Sequence, residues 1–270
     1  MTTGSFLLLI VGGGIAGTIG AMLGLGGGVF LIPFLVLVIG LPMHVAIATS
    51  ILAVIATSSA GAAMNVERQT VNVRLGMVLE IATVIGAIFG GVTANLLSGE
   101  VLSRIFATLL LFVSFMMIWR LKHAKDTAPL VTDGMFPSSY KDESTGTMVA
   151  YSARRLPAVL GVSLIAGNIS GLLGVGGGIF KVPAMHMISG IPMKAATATS
   201  NFMIGVTAAA SAFIYFAHGH LNPIIVAPAV LGVLVGSFLG IQVNRRIHGS
   251  YLTWVFAGVL LLVSLKMFWR

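Results

Sequence analysis

There is no cysteine among the 270 residues of this chain. Disulfides, thiol relays and Cys-ligated metals are excluded, and the redox compartment leaves no mark on the sequence. Charge is the second scarcity. Only 8% of residues are charged, and seven are Asp or Glu. Nothing here forms the acidic oxygen cage that a divalent cation requires. Catalytic signatures are missing as well: there is no Gly-x-Ser-x-Gly elbow, no His-Glu-x-x-His, and no pair of acids inside an apolar run. An enzyme is not expected, nor a metal, nor a cofactor.

What the chain has in abundance is apolar sequence. Hydrophobic residues make up 57% of it and mean hydropathy is +1.04. Long apolar runs recur from end to end, which is the mark of a polytopic helical protein whose partner is the lipid bilayer. A membrane barrel would need short alternating strands instead. The 34 glycines suit membrane helices, where small residues let backbones approach closely. The formal charge of +8 does not imply nucleic acid. The basic residues lie at the ends of apolar runs, where the positive-inside rule puts them. The start, Met1-Thr2-Thr3-Gly4-Ser5, lacks the basic region of a secretory signal, and the first apolar run is expected to be a mature span.

Ten apolar segments are expected, five per half. The first five fall near 5–23, 28–40, 44–64, 73–97 and 102–120, the second five near 157–173, 178–190, 194–216, 223–244 and 251–269. This divides the chain into a first repeat, 1–120, a polar stretch, 121–155, and a second repeat, 156–270. The polar stretch holds Pro129, Asp133-Gly134 and Pro137 and reads as a flexible linker.

The halves align without gaps at one constant offset. Gly24-Leu25-Gly26-Gly27-Gly28 and Pro33 return as Gly174-Val175-Gly176-Gly177-Gly178 and Pro183. Gly40-Leu41-Pro42-Met43 answers Gly190-Ile191-Pro192-Met193, and Ala48-Thr49-Ser50 answers Ala198-Thr199-Ser200. Five segments is an odd number, so the second half is expected upside down relative to the first. The fold class is therefore an all-α polytopic membrane protein of two inverted-topology repeats, each of about five helical segments, with short Gly/Pro-broken helices. The charges agree. Arg68 and Arg74 flank a loop whose counterpart, around His218 and His220, has no Lys or Arg. Arg245-Arg246 answers Asn95-Leu96, and Lys194 answers His44. Placing 68–74, the linker 121–155, 194 and 245–246 in the cytoplasm of a cell-membrane protein collects most of the basic residues there. Segments 28–40 and 178–190 are short for a hydrocarbon core of about 30 Å. Ten crossings, some of them short, are expected; eight spans with two re-entrant pieces is the alternative.

The two Gly-rich breaks are the candidate site. A helix that restarts after such a break has amide groups without intrahelical partners and partial positive charge, which suits an anion. In bare lipid such a break would be unsatisfied, so it must line protein or water. Close helix packing through small residues is the competing reading. The candidate substrate-binding residues are Gly24, Gly26, Gly27 and Gly28, Thr49 and Ser50, Gly174, Gly176, Gly177 and Gly178, Lys181, and Thr199, Ser200 and Asn201. Thr49, Ser50, Thr199 and Ser200 offer hydroxyls to substrate oxygens, or bond their own helix carbonyls. Lys181, three residues past Gly178, is either an intramembrane cation facing an anion or a side chain snorkelling to the interface. His186 and Glu80 are candidates for proton coupling, Glu80 being the one acid well inside an apolar run; a packed histidine and a carboxylate paired with a base are the competing readings. His44, His218 and His220 are expected in loops at the outer face. Lys181, His186 and Asn201 stand where the first half has Leu31, Val36 and Ile51, so the second break is expected to be the stronger anion pole.

These doubled motifs resemble the TauE/SafE family, the sulfite-exporter-type permeases. The resemblance rests on the Gly-x-Gly-Gly-Gly break with its downstream Pro, then Gly-x-Pro and Ala-Thr-Ser, in both halves. It covers the whole chain except the linker, which is longer than the family leads one to expect. It implies transport of small sulfur-containing anions such as sulfite or an organosulfonate, driven by a gradient of protons or Na⁺. No ATP-binding domain is present, and no Gly-Lys-Ser/Thr follows either break. Secondary transport by alternating access about a midplane site is expected. An anion channel and a non-transporting scaffold subunit are the alternatives. The residues give no oligomeric state and no direction of transport.

Overall fold

The computed structural model describes residues 3–23, 27–123, 134–141, 146–244 and 249–269. Ten α-helices appear in the expected places. They are α1 (Thr3–Leu23), α2 (Gly28–Leu37), α3 (Met43–Glu67), α4 (Val73–Leu96), α5 (Gly99–His123), α6 (Leu156–Leu173), α7 (Gly178–Pro183), α8 (Met193–Ala217), α9 (Pro223–Asn244) and α10 (Gly249–Phe268). Among the described residues, seven helices are long and apolar enough to cross a membrane. Ten full crossings do not survive. With 10 and 6 residues, α2 and α7 reach about 15 Å and 9 Å at 1.5 Å per residue. Neither spans a core of about 30 Å.

The starts and stops follow local chemistry. Asn72 caps α4 by accepting the Leu75 N–H at 3.1 Å, and Pro42 and Pro192 stand just before α3 and α8. Pro33 lies within α2, which continues to Leu37. Its counterpart Pro183 ends α7, and a π-helical turn, Ala184–Ile188, follows. Proline removes an N–H donor from the ladder, and a π-turn is one way of absorbing the loss.

Glycine governs how the helices pair. The most extensive contacts are α1 with α9 and α4 with α6, each joining one half to the other. A Cβ on Gly232, Gly236 or Gly240 would strike the carbonyls of Ile10, Gly14 or Thr18. One on Gly167 or Gly171 would strike those of Thr83 or Ala87. This is backbone-to-backbone packing that only small residues permit. Both residue series rise together, so α1 runs parallel to α9 and α4 to α6. The counterpart pairs run oppositely. Ser58 lies beside Gly205 and Gly61 beside Asn201, so α3 and α8 are antiparallel. Ser114 Oγ donates to Ala257 O and Ser264 Oγ to Ala107 O, at 2.8 and 2.7 Å, so α5 and α10 are antiparallel too.

Part of the expected flexible linker is ordered. Strands β1 (Met135–Lys141) and β2 (Met148–Ala153) form an antiparallel hairpin. Tyr140 and Tyr151 are buried in a cluster with Leu75, Leu79, Met185 and Ala195. Burial, more than its Ser138 and Asn72 hydrogen bonds relieve, raises the Tyr151 phenol above its usual range. Asn72 Nδ2 donates to Phe136 O at 2.9 Å, Lys194 Nζ lies 5.7 Å from the Tyr140 ring centre, and the Arg154 N–H reaches Ser189 O. The hairpin, the 68–72 loop and the start of α8 thus share one end of the bundle. At the other end, the His44 and His220 rings stack 4.9 Å apart. Arg245 and Arg246 lie outside the described residues.

Candidate functional site

Gly24 and Gly26 fall outside the described residues; Gly27 and Gly28 do not. Gly27 has φ 76° and caps α2, its carbonyl accepting the N–H groups of Phe30 and Leu31. In the second half Gly174, Gly176 and Gly177 have φ of 68°, 80° and 68°, a conformation that side-chain-bearing residues seldom adopt. The two breaks meet. Ser50 Oγ donates to Gly174 O at 2.9 Å. A Cβ on Gly28 would lie 2.6 Å from Ser50 Oγ and 2.7 Å from Gly174 O. The first break is thus packed onto the second through Ser50.

The counterpart serine behaves differently. Ser200 Oγ is buried and has no hydrogen-bond partner, and it faces Gly178, whose Cβ would come within 3.4 Å. Buried polar atoms without partners are uncommon and call for a reason. The neighbouring threonines are occupied: Thr49 Oγ1 donates to Val45 O within its own helix at 2.8 Å, and Thr199 Oγ1 accepts the Asn72 N–H at 3.0 Å. Both hydroxyls hold structure.

A cavity of about 100 Å³ lies against the first break. That is well above the roughly 10–15 Å³ a single water needs. Gly17 and Gly20 of α1, Gly27, Thr57, Ser58 and Gly61 of α3, Asn201 and Ile204 of α8, and Ser237 of α9 line it. Asn201 is the strongest donor there. The hydroxyls of Thr57, Ser58 and Ser237 donate to carbonyls of their own helices. This cavity adjoins the first break, whereas the stronger anion pole is expected at the second. There Ile204 fills the space, within 3.0 Å of a Cβ on Gly176 and 2.9 Å of one on Gly178. The contribution of the second half to the cavity is Asn201 and Ile204, from across the bundle. Thr57, Ser58 and Ser237 went unread in the sequence, although Thr57 answers Thr207 at the same offset.

Lys181 does not snorkel. It is 1% exposed, and its Nζ donates to Thr207 Oγ1 at 3.0 Å and lies 3.8 Å from Glu80 Oε2. Thr207 Oγ1 has two acceptors within reach, Glu80 Oε1 at 2.6 Å and Met203 O at 3.0 Å. Glu80 is 6% exposed, and its Oε2 has no hydrogen bond. Helices α4, α7 and α8 each contribute one member of this group. His186 is remote from it in chemistry: its Nδ1–H donates to Ile191 O at 2.8 Å, closing the turn after the π-helix. His44 is not a loop residue. It sits in the first turn of α3, and its Nε2–H is shared between Ala94 O and Leu97 O at 3.0 and 3.1 Å.

A bundle of membrane-length helices, interrupted at two facing glycine breaks beside a small cavity with a few polar groups in a largely apolar wall, defines a polytopic membrane transporter architecture. A family model described as Sulfite exporter TauE/SafE matches residues 9–267, and the chain belongs to that family. Similar curated proteins carry the name of membrane transporters. The probable membrane transporter protein YunE of Bacillus subtilis is 27% identical over 98% of both chains. A probable membrane transporter protein of Xylella fastidiosa is 26% identical over 100% of this chain and 97% of its own. MamO of Magnetospirillum gryphiswaldense, also named a probable membrane transporter protein, is 27% identical over 93% of this chain and 43% of its own. No solved structure matches the chain.

Proposed function

We propose that this protein is a secondary transporter of small sulfur-containing anions, sulfite or an organosulfonate, working by alternating access between two inverted repeats. The observation that carries the reading is the cavity beside the first break, next to the Gly28–Ser50–Gly174 junction. It is small, as a compact oxyanion requires. It offers an amide donor from Asn201 beside Gly27, the residue that precedes α2, with no carboxylate among its lining residues. Neutral donors and a helix start hold an anion without a fixed counter-charge. The inverted arrangement is supported by α3 and α8, and α5 and α10, running antiparallel to their own counterparts. The family description adds the sulfur chemistry. In this reading the repeats are 1–120 and 156–270, and the hairpin end, with Arg68, Arg154 and Lys194, faces the cytoplasm of the cell membrane.

The test is flux in proteoliposomes. Radiolabelled sulfite and sulfoacetate are each offered to vesicles preloaded with the unlabelled anion. A carrier gives saturable counterflow that competes between the two anions but not with simple cations. Absence of exchange for every sulfur oxyanion, or ion-channel conductance in its place, would overturn the proposal.

A further inference from the structure

We propose that Glu80 is the proton-binding carboxylate of the transport cycle and that Lys181 is the cation it holds in reserve, so that substrate anion and proton travel together. This rests on the reading of the substrate as an anion and names its coupling ion. The starting point is charge. Lys181 and Glu80 form a neutral pair in the bundle interior, from α7 and α4. No other charged side chain faces them among the described residues: α6, packed on α4, carries none along Leu156–Leu173, and α8 contributes Thr207 there. Tyr215, further along α8, has its hydroxyl turned to the Gly171 and Leu172 carbonyls. If an anion takes the place of the carboxylate at Lys181, the group acquires a net negative charge. Unpaired charge in such an interior is strongly disfavoured. A proton on Glu80 returns the sum to zero. Anion binding and protonation are then linked, and by reciprocity each favours the other.

The atoms are placed for this exchange. Oε2, the oxygen facing Lys181, has no hydrogen bond to lose, so a proton can bind there without breaking one. Thr207 has a second acceptor, Met203 O, to which its hydroxyl can turn. The Lys181 stem runs along the second break, where its Cε lies 3.4 Å from a Cβ built on Gly177. Ile204 touches both this break and the cavity. A rotamer change at Ile204 and release of Lys181 from Glu80 would connect the ammonium to the cavity. The first half cannot do this, because Leu31 and Val230 occupy the equivalent sequence positions.

The experiment uses the purified full chain in detergent, with methanesulfonate, a singly charged organosulfonate, as the probe. Wild-type protein should take up about one proton per anion bound, followed with a pH dye in weakly buffered solution. Its affinity should weaken about tenfold per pH unit on the alkaline side, as a one-proton linkage requires. Glu80→Gln should bind with an affinity nearly flat in pH and without proton uptake. Wild-type binding with no proton uptake and no pH dependence would overturn the proposal while leaving the anion reading intact. So would a Glu80→Gln variant that keeps the wild-type slope. If Glu80→Gln does not fold, the wild-type proton count decides alone. Failure of the wild type to bind or exchange sulfite and sulfoacetate at all would overturn the anion reading, and this inference with it.

Discussion

Around the first break the chain carries Leu31, Thr57 and Val230; at the equivalent positions around the second it carries Lys181, Thr207 and Glu80. The backbone plan is shared: a helix, a glycine break, a short proline-bearing helix, then a long helix starting after Gly-x-Pro. What fills it is different. Beside the first break, Thr57 lines an open cavity. Beside the second, Thr207 bridges a buried ion pair. If the halves are inverted repeats, as proposed, the scaffold has two places of like geometry facing opposite sides. This molecule keeps one as space and uses the other for charge. In the proposed cycle this asymmetry separates the binding element from the coupling element.

The largest expected effect comes from making the second break resemble the first by one step only. Lys181→Leu copies Leu31 and leaves Glu80 buried without its partner. Breaking a buried pair this way costs about 3–5 kcal/mol, read as a large drop in thermal unfolding temperature in detergent. The double variant Lys181→Leu with Glu80→Val, copying Leu31 and Val230, should regain most of that stability, because a well-packed apolar replacement of an ion pair is often neutral. It should not regain coupling to a proton gradient. A single variant as stable as wild type would show that the two groups are not mutually dependent.

Smaller in size is the difference between Gly28→Ala and Gly178→Ala. At Gly28 the new methyl meets Ser50 Oγ at 2.6 Å and the Gly174 carbonyl at 2.7 Å. Backbone cannot yield, so overpacking of about 1–3 kcal/mol is expected. At Gly178 the nearest atom is Ile204 Cδ1 at 2.9 Å, the far end of a side chain that can turn. Gly178→Ala should cost under about 1 kcal/mol while narrowing the path that Ile204 controls. Equal losses at both positions would remove the distinction between a rigid first junction and a yielding second one.

The paired serines sharpen the same contrast. Ser50→Ala leaves the buried Gly174 carbonyl without its donor and should cost about 1–3 kcal/mol. Ser200 donates to nothing, so Ser200→Ala should leave unfolding temperature nearly unchanged. If its free hydroxyl serves substrate, the same variant should raise the substrate concentration for half-maximal counterflow. Destabilisation by Ser200→Ala as large as by Ser50→Ala would mean that Ser200 has a structural partner after all.

How much of this was legible depends on whether the signal was local. Helix positions followed from apolar runs and from Gly-x-Pro starts, which act within a few residues. The breaks could be read because the glycines come twice. The hairpin was missed because its strands are short, one contains Pro137, and turn-forming residues dominate the stretch around them; what orders it is contact with Asn72 and Lys194, far along the chain. The Lys181–Glu80 pair joins two helices from different halves. A rule was available, since an acid and a base each isolated in apolar sequence tend to find each other, but the pattern gave no register to connect them. The position of the cavity was not legible at all. It depends on how closely α1 and α9 approach through glycine, which sets the room left between α1, α3 and α8.

The comparison extends to the two ends of the bundle, where the effect is smallest. At the hairpin end stand Arg68, Thr70 and Lys194; their counterparts at the other end are His218, His220 and His44. Two fixed cations and a threonine are thus exchanged for three imidazoles. His220 stacks on His44, has His218 at 6.4 Å and the Tyr215 ring at 6.2 Å. Partial burial first, then the charges of His44 and His218, hold its imidazole below the ordinary value of 6.5. The unfolded chain therefore binds the proton more readily than the folded one. Stability is fully present above about pH 6.5 and declines as the pH falls through that value toward the depressed one. The ring is only partly buried, at the end of the bundle, so the slope is shallow. His220→Ala should flatten the acid limb of unfolding temperature against pH while leaving the alkaline limb in place. Because His44 also holds the Ala94 and Leu97 carbonyls, acid loosening here would act where α3, α4 and α8 meet. An unchanged acid limb in His220→Ala would show that the imidazole stack carries no protonation-linked strain, and that the two ends differ in charge alone.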